Sequence, residues 1–143
     1  MDPLARRDGL LTRPNPAPRH DYLVILDGRP RVDLPGLTDP LLVVRLVPDR
    51  LLIDGPAFAG YIAGLGRWSW PGPEDLTLAV LDDINNEVVP RWVQVEVRAS
   101  QTAGRSDDHD QPANRVAGLP HRVIAEDRQP LWRGRPPLSI GES

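Results

Sequence analysis

The chain has 143 residues and a formal net charge of −3, and its 17 basic residues are all Arg. Because it contains neither Cys nor Lys, disulfides, thiolate nucleophiles, Cys-based zinc sites and Lys Schiff bases are excluded. The Arg residues are scattered among Asp and Glu, so no nucleic-acid partner is predicted. No apolar run reaches the roughly 20 residues that span a bilayer, and the first residues lack an apolar signal core. We therefore expect a cytoplasmic protein without a membrane partner.

The length suits one domain with less regular segments at both ends. Residues 1–20 are rich in Pro and Arg, and alternating prolines favour extended, unpaired backbone, so a flexible arm is predicted there. The predicted domain occupies residues 21–125. Residues 126–143 are rich in Pro and Gly, and we expect a tail that becomes ordered only on a partner.

Two strands are predicted before the first helix. The apolar run Asp21–Leu26 has the length of a strand, and the turn dipeptide Asp27-Gly28 ends it. Leu41–Val47 is a β-branched run of strand length, and residues 50–53 give it a short extension.

Two helices are predicted next. Asp54 is a candidate helix cap, with Pro56 near the first turn. One apolar face follows at helical spacing and consists of Phe58, Tyr61, Ile62 and Leu65. A second helix begins near Pro73, where two acidic residues favour the positive end of the helix dipole, and Pro90 marks its exit.

Two further strands complete the predicted domain. Arg91–Arg98 alternates with period two, with Val93, Val95 and Val97 on one face and Trp92 on the other. The last strand is best placed over His121–Ala125. The order strand, strand, helix, helix, strand, strand predicts an α+β fold. Its simplest packing is an antiparallel four-stranded sheet with both helices on one face. Trp92 indicates that the opposite face is partly covered, and another subunit could supply that cover.

Five short patterns occur in a fixed order: DYLVIL, VPDR, Asp-Gly-Pro-Ala-Phe-x-x-Tyr at a helix start, Pro-Glu-Asp, and Pro-Arg before a strand. Over residues 20–98 this set resembles the 7-cyano-7-deazaguanine reductase family, the nitrile reductases of queuosine biosynthesis. The resemblance implies the tunnelling fold of GTP cyclohydrolase I, dihydroneopterin aldolase and urate oxidase. Subunits of that fold join their sheets into a barrel, with active sites between subunits. A divergent member that forms a homo-oligomer is expected.

The chain departs from that family where the family's chemistry takes place. The nucleophile of the family is a Cys in a Ser-Leu-Cys-Pro loop, which forms a thioimide, whereas this chain reads Asp33-Leu34-Pro35-Gly36. The family's nicotinamide motif carries two Lys, and this chain has Pro56 and Ala59 at their places. Cys-dependent nitrile reduction is therefore excluded, and neither a cofactor nor a metal is predicted.

Glu74 is the best single candidate for a binding residue. It stands at the place of the Glu in the family's His-Glu pair, and the resemblance implies that it anchors a planar heterocycle by accepting two N–H bonds. The alternative is a helix-start Glu favoured by the dipole. Asp39 lies near the place of the family's general acid; the alternative is a turn Asp before Pro40.

Other candidates rest on residue type and position. His121 could face a site between subunits or be structural, and Asp54 could move protons or cap its helix. Trp68 and Trp70 could wall a pocket for a flat ligand or pack in the core or an interface. Asp107, Asp108, His109 and Asp110 could bind a hard metal ion, but a solvated loop is the favoured interpretation.

These residues favour an enzyme over a pure binding protein. The predicted catalytic residues are Asp39, Asp54 and His121, and the predicted substrate-binding residues are Glu74, Trp68 and Trp70. The expected activity is acid–base chemistry without a cofactor, as in an isomerase, cyclase or hydrolase, or chemistry with a cofactor that the sequence does not reveal. The expected ligand is a small planar or carbonyl-bearing metabolite bound between subunits. The alternative is a non-catalytic ligand-binding or assembly relative.

Overall fold

The computed structural model describes residues 3–99 and 121–134. In chain order its elements are α1 (Pro3–Arg7), β1 (Thr12–Pro14), β2 (Val24–Gly28), β3 (Pro40–Val47), β4 (Leu51–Ile53), α2 (Gly55–Gly64), a 3₁₀ turn (Leu65–Arg67), α3 (Pro73–Val88), β5 (Trp92–Ala99) and β6 (Arg122–Arg128). Four antiparallel strands form a sheet in the order β2-β3-β5-β6. The prediction of an α+β fold with an antiparallel sheet is confirmed.

The two long helices begin where the sequence predicts. Asp54 caps α2, and its Oδ2 accepts a hydrogen bond from the Ala57 N–H at 3.1 Å. Helix α3 starts at Pro73, carries two acidic residues in its first turn, and is followed by Val89 in the left-handed conformation at φ 50°. A β-branched side chain rarely adopts that conformation, so Val89 ends the helix with local backbone strain.

The core lies between the helices and one face of the sheet. Alternate strand residues supply that face, and the helices supply the other half of the core. Its buried members include Leu42, Val44, Leu46, Phe58, Tyr61, Ile62, Leu76, Val80, Ile84, Val93, Val95 and Val97. Burying each such side chain contributes about 1.5–3 kcal/mol, so this layer is the main source of stability.

Residues 3–15 are part of the folded unit, and here the predicted flexible arm over residues 1–20 is wrong. Strand β1 pairs antiparallel with β4, from Thr12 opposite Ile53 to Pro14 opposite Leu51, and Leu10 is buried in the core. The partners lie about 40 residues further along the chain, so local composition does not reveal them. At the other end, β6 runs to Arg128, past the predicted start of a tail at residue 126.

Asp83 joins the N-terminal segment to the helices. This fully buried carboxylate accepts hydrogen bonds from Arg6 Nε at 2.6 Å and Nη2 at 2.7 Å, from Arg7 Nε at 2.9 Å and from the Tyr61 hydroxyl at 2.6 Å. Burial and the adjacent carboxylate raise the pKa of Tyr61. The hydrogen bond to Asp83 outweighs burial and raises the pKa of Arg6. We refer to Arg6, Arg7, Tyr61, Asp82 and Asp83 as the Asp83 cluster.

Arg91 fastens the segment before β2 to the turn between β3 and β4. Its guanidinium donates to the carbonyl oxygens of Pro18, His20 and Pro48, and it forms an ion pair with Asp49 Oδ1 at 3.1 Å. Pro48, Asp49 and Arg91, which carry part of the family resemblance, therefore have a structural role at one end of the sheet.

The sheet face opposite the helices is partly covered within this single chain. Trp92 and Val47 lie on that face and are fully buried. The Trp92 Nε1–H has no hydrogen-bond partner in the part of the chain that the structure describes. Cover of this face therefore does not require a second subunit at Trp92.

Among the described helices, none has the length and apolar character to cross a membrane.

Candidate functional site at one end of the sheet

The strand register brings several predicted site residues to one end of the sheet. Pro40, the first residue of β3, pairs with Ala99 at the end of β5, and Arg98 pairs with Arg122 at the start of β6. Asp39 and His121 directly precede β3 and β6, so both lie at this end. The two strands are separated by β5, which puts their backbones about 10 Å apart.

His121 and Glu74 meet at this end. His121 Nε2 lies 3.3 Å from Glu74 Oε2, and both side chains are open to solvent, at 43% and 59% exposure. When the imidazole carries its proton on Nε2, it donates to the carboxylate and Nδ1 remains an acceptor. In that tautomer Nδ1 is free of a proton, and no other described residue forms a hydrogen bond to Glu74 Oε1.

Asp39 and Trp70 line one hollow of about 510 Å³, together with the loop Val32–Pro35, Leu37 and Thr38. Asp39 has a left-handed backbone at φ 51° directly before a proline, a strained combination that Asp tolerates better than most residues. Trp70 is buried, and its Nε1–H donates to the Leu65 carbonyl at 3.0 Å. The loop at the place of the family's Cys loop therefore borders the same hollow as Asp39.

The remaining two predicted site residues have structural contacts. Asp54 uses Oδ2 to cap α2, and Trp68 is half-buried against the hydrophobic core. The structure thus brings Glu74 into contact with His121, and it places Asp39 and Trp70 in the lining of the same hollow. It places neither Asp54 nor Trp68 among the residues lining that hollow.

A second hollow of about 650 Å³ lies between the end of β2 and the outer side of α2. Its lining includes Arg29, Arg31, Phe58, Ala59 and Ile62. No sequence pattern predicts this hollow; the nearest signal is Ala59, which the resemblance equates with a cofactor-binding Lys. The acidic run Asp107–Asp110, considered for a metal ion, lies outside the described residues.

Comparisons with known proteins bear on the fold. No protein-family model matches the chain, and no curated protein matches it. The chain is similar to the crystal structure of the archaeosine synthase QueF-Like in the apo form. The TM-score is 0.51 and the identity 17%, over 76% of this chain and 96% of that chain.

The chain shares the tunnelling fold of this neighbour. At 17% identity the likeness extends to the fold and not to the reaction. The resemblance seen in residues 20–98 is therefore supported at the level of fold.

Proposed function

We propose that the chain binds a small planar or carbonyl-bearing metabolite beside Glu74 and His121, between subunits of a homo-oligomeric barrel in the cytoplasm. The contact between these two side chains is the observation that carries the proposal, because a carboxylate and an imidazole 3.3 Å apart form a potential binding and proton-transfer pair. Strands β2 and β6 have no further strand partner in the described residues, so each leaves one edge for another subunit.

In the proposed reaction the chain supplies acid–base groups. Glu74 Oε1 accepts an N–H bond from the ligand, and His121 Nδ1 takes a proton from it. Asp39, at the same end of the sheet, is the candidate acid that returns a proton. A positioned general base typically contributes about 10²–10⁴-fold to a rate, enough for an isomerisation, cyclisation or hydrolysis of an activated substrate. The thioimide route of nitrile reduction is excluded because the chain contains no Cys.

A non-catalytic ligand-binding or assembly protein is the second candidate. It is favoured by the structural contacts of three predicted site residues. Asp54 caps a helix, Trp68 packs on the core, and the Trp70 indole N–H is used by a backbone carbonyl. These contacts would be retained without any reaction.

Ligand binding can be tested by native mass spectrometry followed by thermal-shift measurements against purines, pterins and deazapurines. We expect an oligomer whose melting temperature rises by several degrees with one ligand class, and loss of that rise in Glu74→Gln. Asp75→Asn is the matched control, since it removes a charge of the same sign from the same helix turn. Equal losses in the two variants, or a monomer that binds no ligand, would refute the proposal.

Catalysis can be separated from binding with any ligand that passes this test. The ligand is incubated with the wild type and with His121→Gln, and its conversion is followed by mass spectrometry. Conversion by the wild type alone supports the enzyme. Binding without conversion in either protein supports the non-catalytic alternative.

A further inference from the structure

Glu96 lies at the centre of an arginine cluster on the helix-free face of the sheet. Arg122 approaches Oε2 through Nε and Nη2, each at 2.7 Å; Arg45 Nη1 lies 3.1 Å from Oε1, and Arg98 Nη1 lies 3.6 Å from Oε2. Glu96 itself is fully buried. Three guanidinium groups from three neighbouring strands thus share one carboxylate. We refer to these four residues as the Glu96 cluster.

The Glu96 cluster carries a surplus of two positive charges. Burial tends to raise the pKa of Glu96, but hydrogen bonds from Arg122 and Arg45 outweigh it, and the pKa lies below its ordinary value. Glu96 is therefore ionised at neutral pH and neutralises one of the three arginines. Gln94, the other hydrogen-bond partner of Arg45, adds no charge.

Arg98 and Arg122 face each other across β5 and β6. They are direct partners in the register and lie on the same face, an arrangement in which like charges repel. Their side chains are 39% and 51% exposed. Arg98 Nε and Nη2 and Arg122 Nη1 make no hydrogen bond to other described residues. Two adjacent, partly exposed guanidinium groups therefore carry N–H donors that no other described residue accepts.

We propose that Arg98 and Arg122 form a binding site for a phosphate group, with Arg45 adding to its positive field. Guanidinium forks bind phosphate through paired, charge-assisted hydrogen bonds, and a phosphate dianion matches the surplus of two charges. A single carboxylate would neutralise only half of it. The site lies on the face opposite the core, and Arg122 directly follows His121 of the proposed Glu74–His121 site.

The first test is isothermal titration of the full chain with inorganic phosphate and pyrophosphate at constant ionic strength, with malonate as the dicarboxylate comparison. We expect saturable binding of the phosphates that weakens by at least about tenfold in Arg98→Gln, since charge-assisted hydrogen bonds are lost. Arg128→Gln is the matched control: it removes the same charge from the same face, at the other end of β6. Its affinity should stay within about twofold of wild type, as expected for a distant, screened charge.

A second variant gives a change of opposite sign. Glu96→Gln keeps the shape of the side chain but removes the competing negative charge, so phosphate should bind more tightly than to the wild type. A purely structural cluster would not show this gain. Circular dichroism and melting temperature establish that each variant is folded. The proposal is overturned by absence of saturable binding, by equal losses in Arg98→Gln and Arg128→Gln, by weaker binding in Glu96→Gln, or by tighter binding of malonate than of phosphate.

Discussion

Asp83 and Glu96 are both fully buried carboxylates surrounded by arginines, yet their surroundings differ in charge and exposure. In the Asp83 cluster two arginines meet two aspartates, and the side chains of Arg6 and Arg7 are 6% and 15% exposed. In the Glu96 cluster three arginines meet one glutamate, and two of them are substantially open to solvent. A charge-balanced cluster whose arginines are shielded from solvent serves to hold segments together. An unbalanced, open cluster retains the capacity to bind an anion.

The largest effect should come from Asp83→Ala. Removing this carboxylate leaves Arg6 buried without its main partner, and breaking a buried ion pair typically costs about 3–5 kcal/mol. Urea unfolding followed by circular dichroism measures the loss. A loss below about 1 kcal/mol would mean that the ion pairs of Asp83 contribute no more to stability than exposed surface pairs do. The Asp83 cluster would then have no greater structural role than the Glu96 cluster.

Tyr61→Phe should have the next largest effect on stability. It removes a buried hydrogen bond to a charged group, a contribution of about 1.5–3 kcal/mol. Tyr22→Phe is a suitable control because that hydroxyl bonds to Asn15 Oδ1, a neutral acceptor in a less buried setting. Comparable losses in the two variants would show that Asp83 gives the Tyr61 bond no additional strength.

Glu96 should contribute to the loss of folding stability as the pH is lowered into the acid range. Its folded-state pKa lies below that of the unfolded chain, which is near 4.3. The stability from its ionised form is therefore present above that pH and is lost as the pH falls through the folded-state pKa. Glu96→Gln should flatten the fall in melting temperature between about pH 5 and 3. An unchanged fall in melting temperature over this pH range would contradict this assignment.

Arg98→Gln should change stability least. Its 3.6 Å contact with Glu96 is long and partly exposed, so its loss should cost no more than about 0.5 kcal/mol, and relief of repulsion from Arg122 acts in the opposite direction. Urea unfolding beside the wild type checks this. A loss above about 1.5 kcal/mol would give Arg98 the sealed, structural character of Arg6.

The elements that depend on local pattern could be predicted from the sequence. The β-branched run at Leu41–Val47 and the alternation after Pro90 give β3 and β5 almost to the residue, and Asp54 and Pro73 give both helix starts. Helix α1 and strand β1 could not be predicted. They are held by Asp83 and by β4, which are distant in sequence, and their Pro- and Arg-rich composition resembles that of an unstructured arm.

In the candidate site too, the sequence predicts what depends on local pattern and does not predict contacts between residues distant in the chain. Residue type identified Glu74 and His121 separately, but their contact spans 47 positions and depends on where β6 begins relative to α3. The sequence predicts Asp54 as a possible helix cap, and the structure shows it in that role. The Glu96 cluster was missed because alternation in β5 marks Glu96 and Arg98 as outward-facing and gives no sign of their charge balance across three strands.

The partners of the N-terminal segment have a consequence for the order in which the chain can fold during synthesis. Arg6 is bound by Asp83, and Pro18 and His20 are bound by Arg91. Synthesis as far as residue 60 supplies β4, the strand partner of β1, but neither Asp83 nor Arg91. The segment can therefore pair with β4 early, but its ion pair with Asp83 and its hydrogen bonds to Arg91 form only after α3 and the residue before β5 have been made.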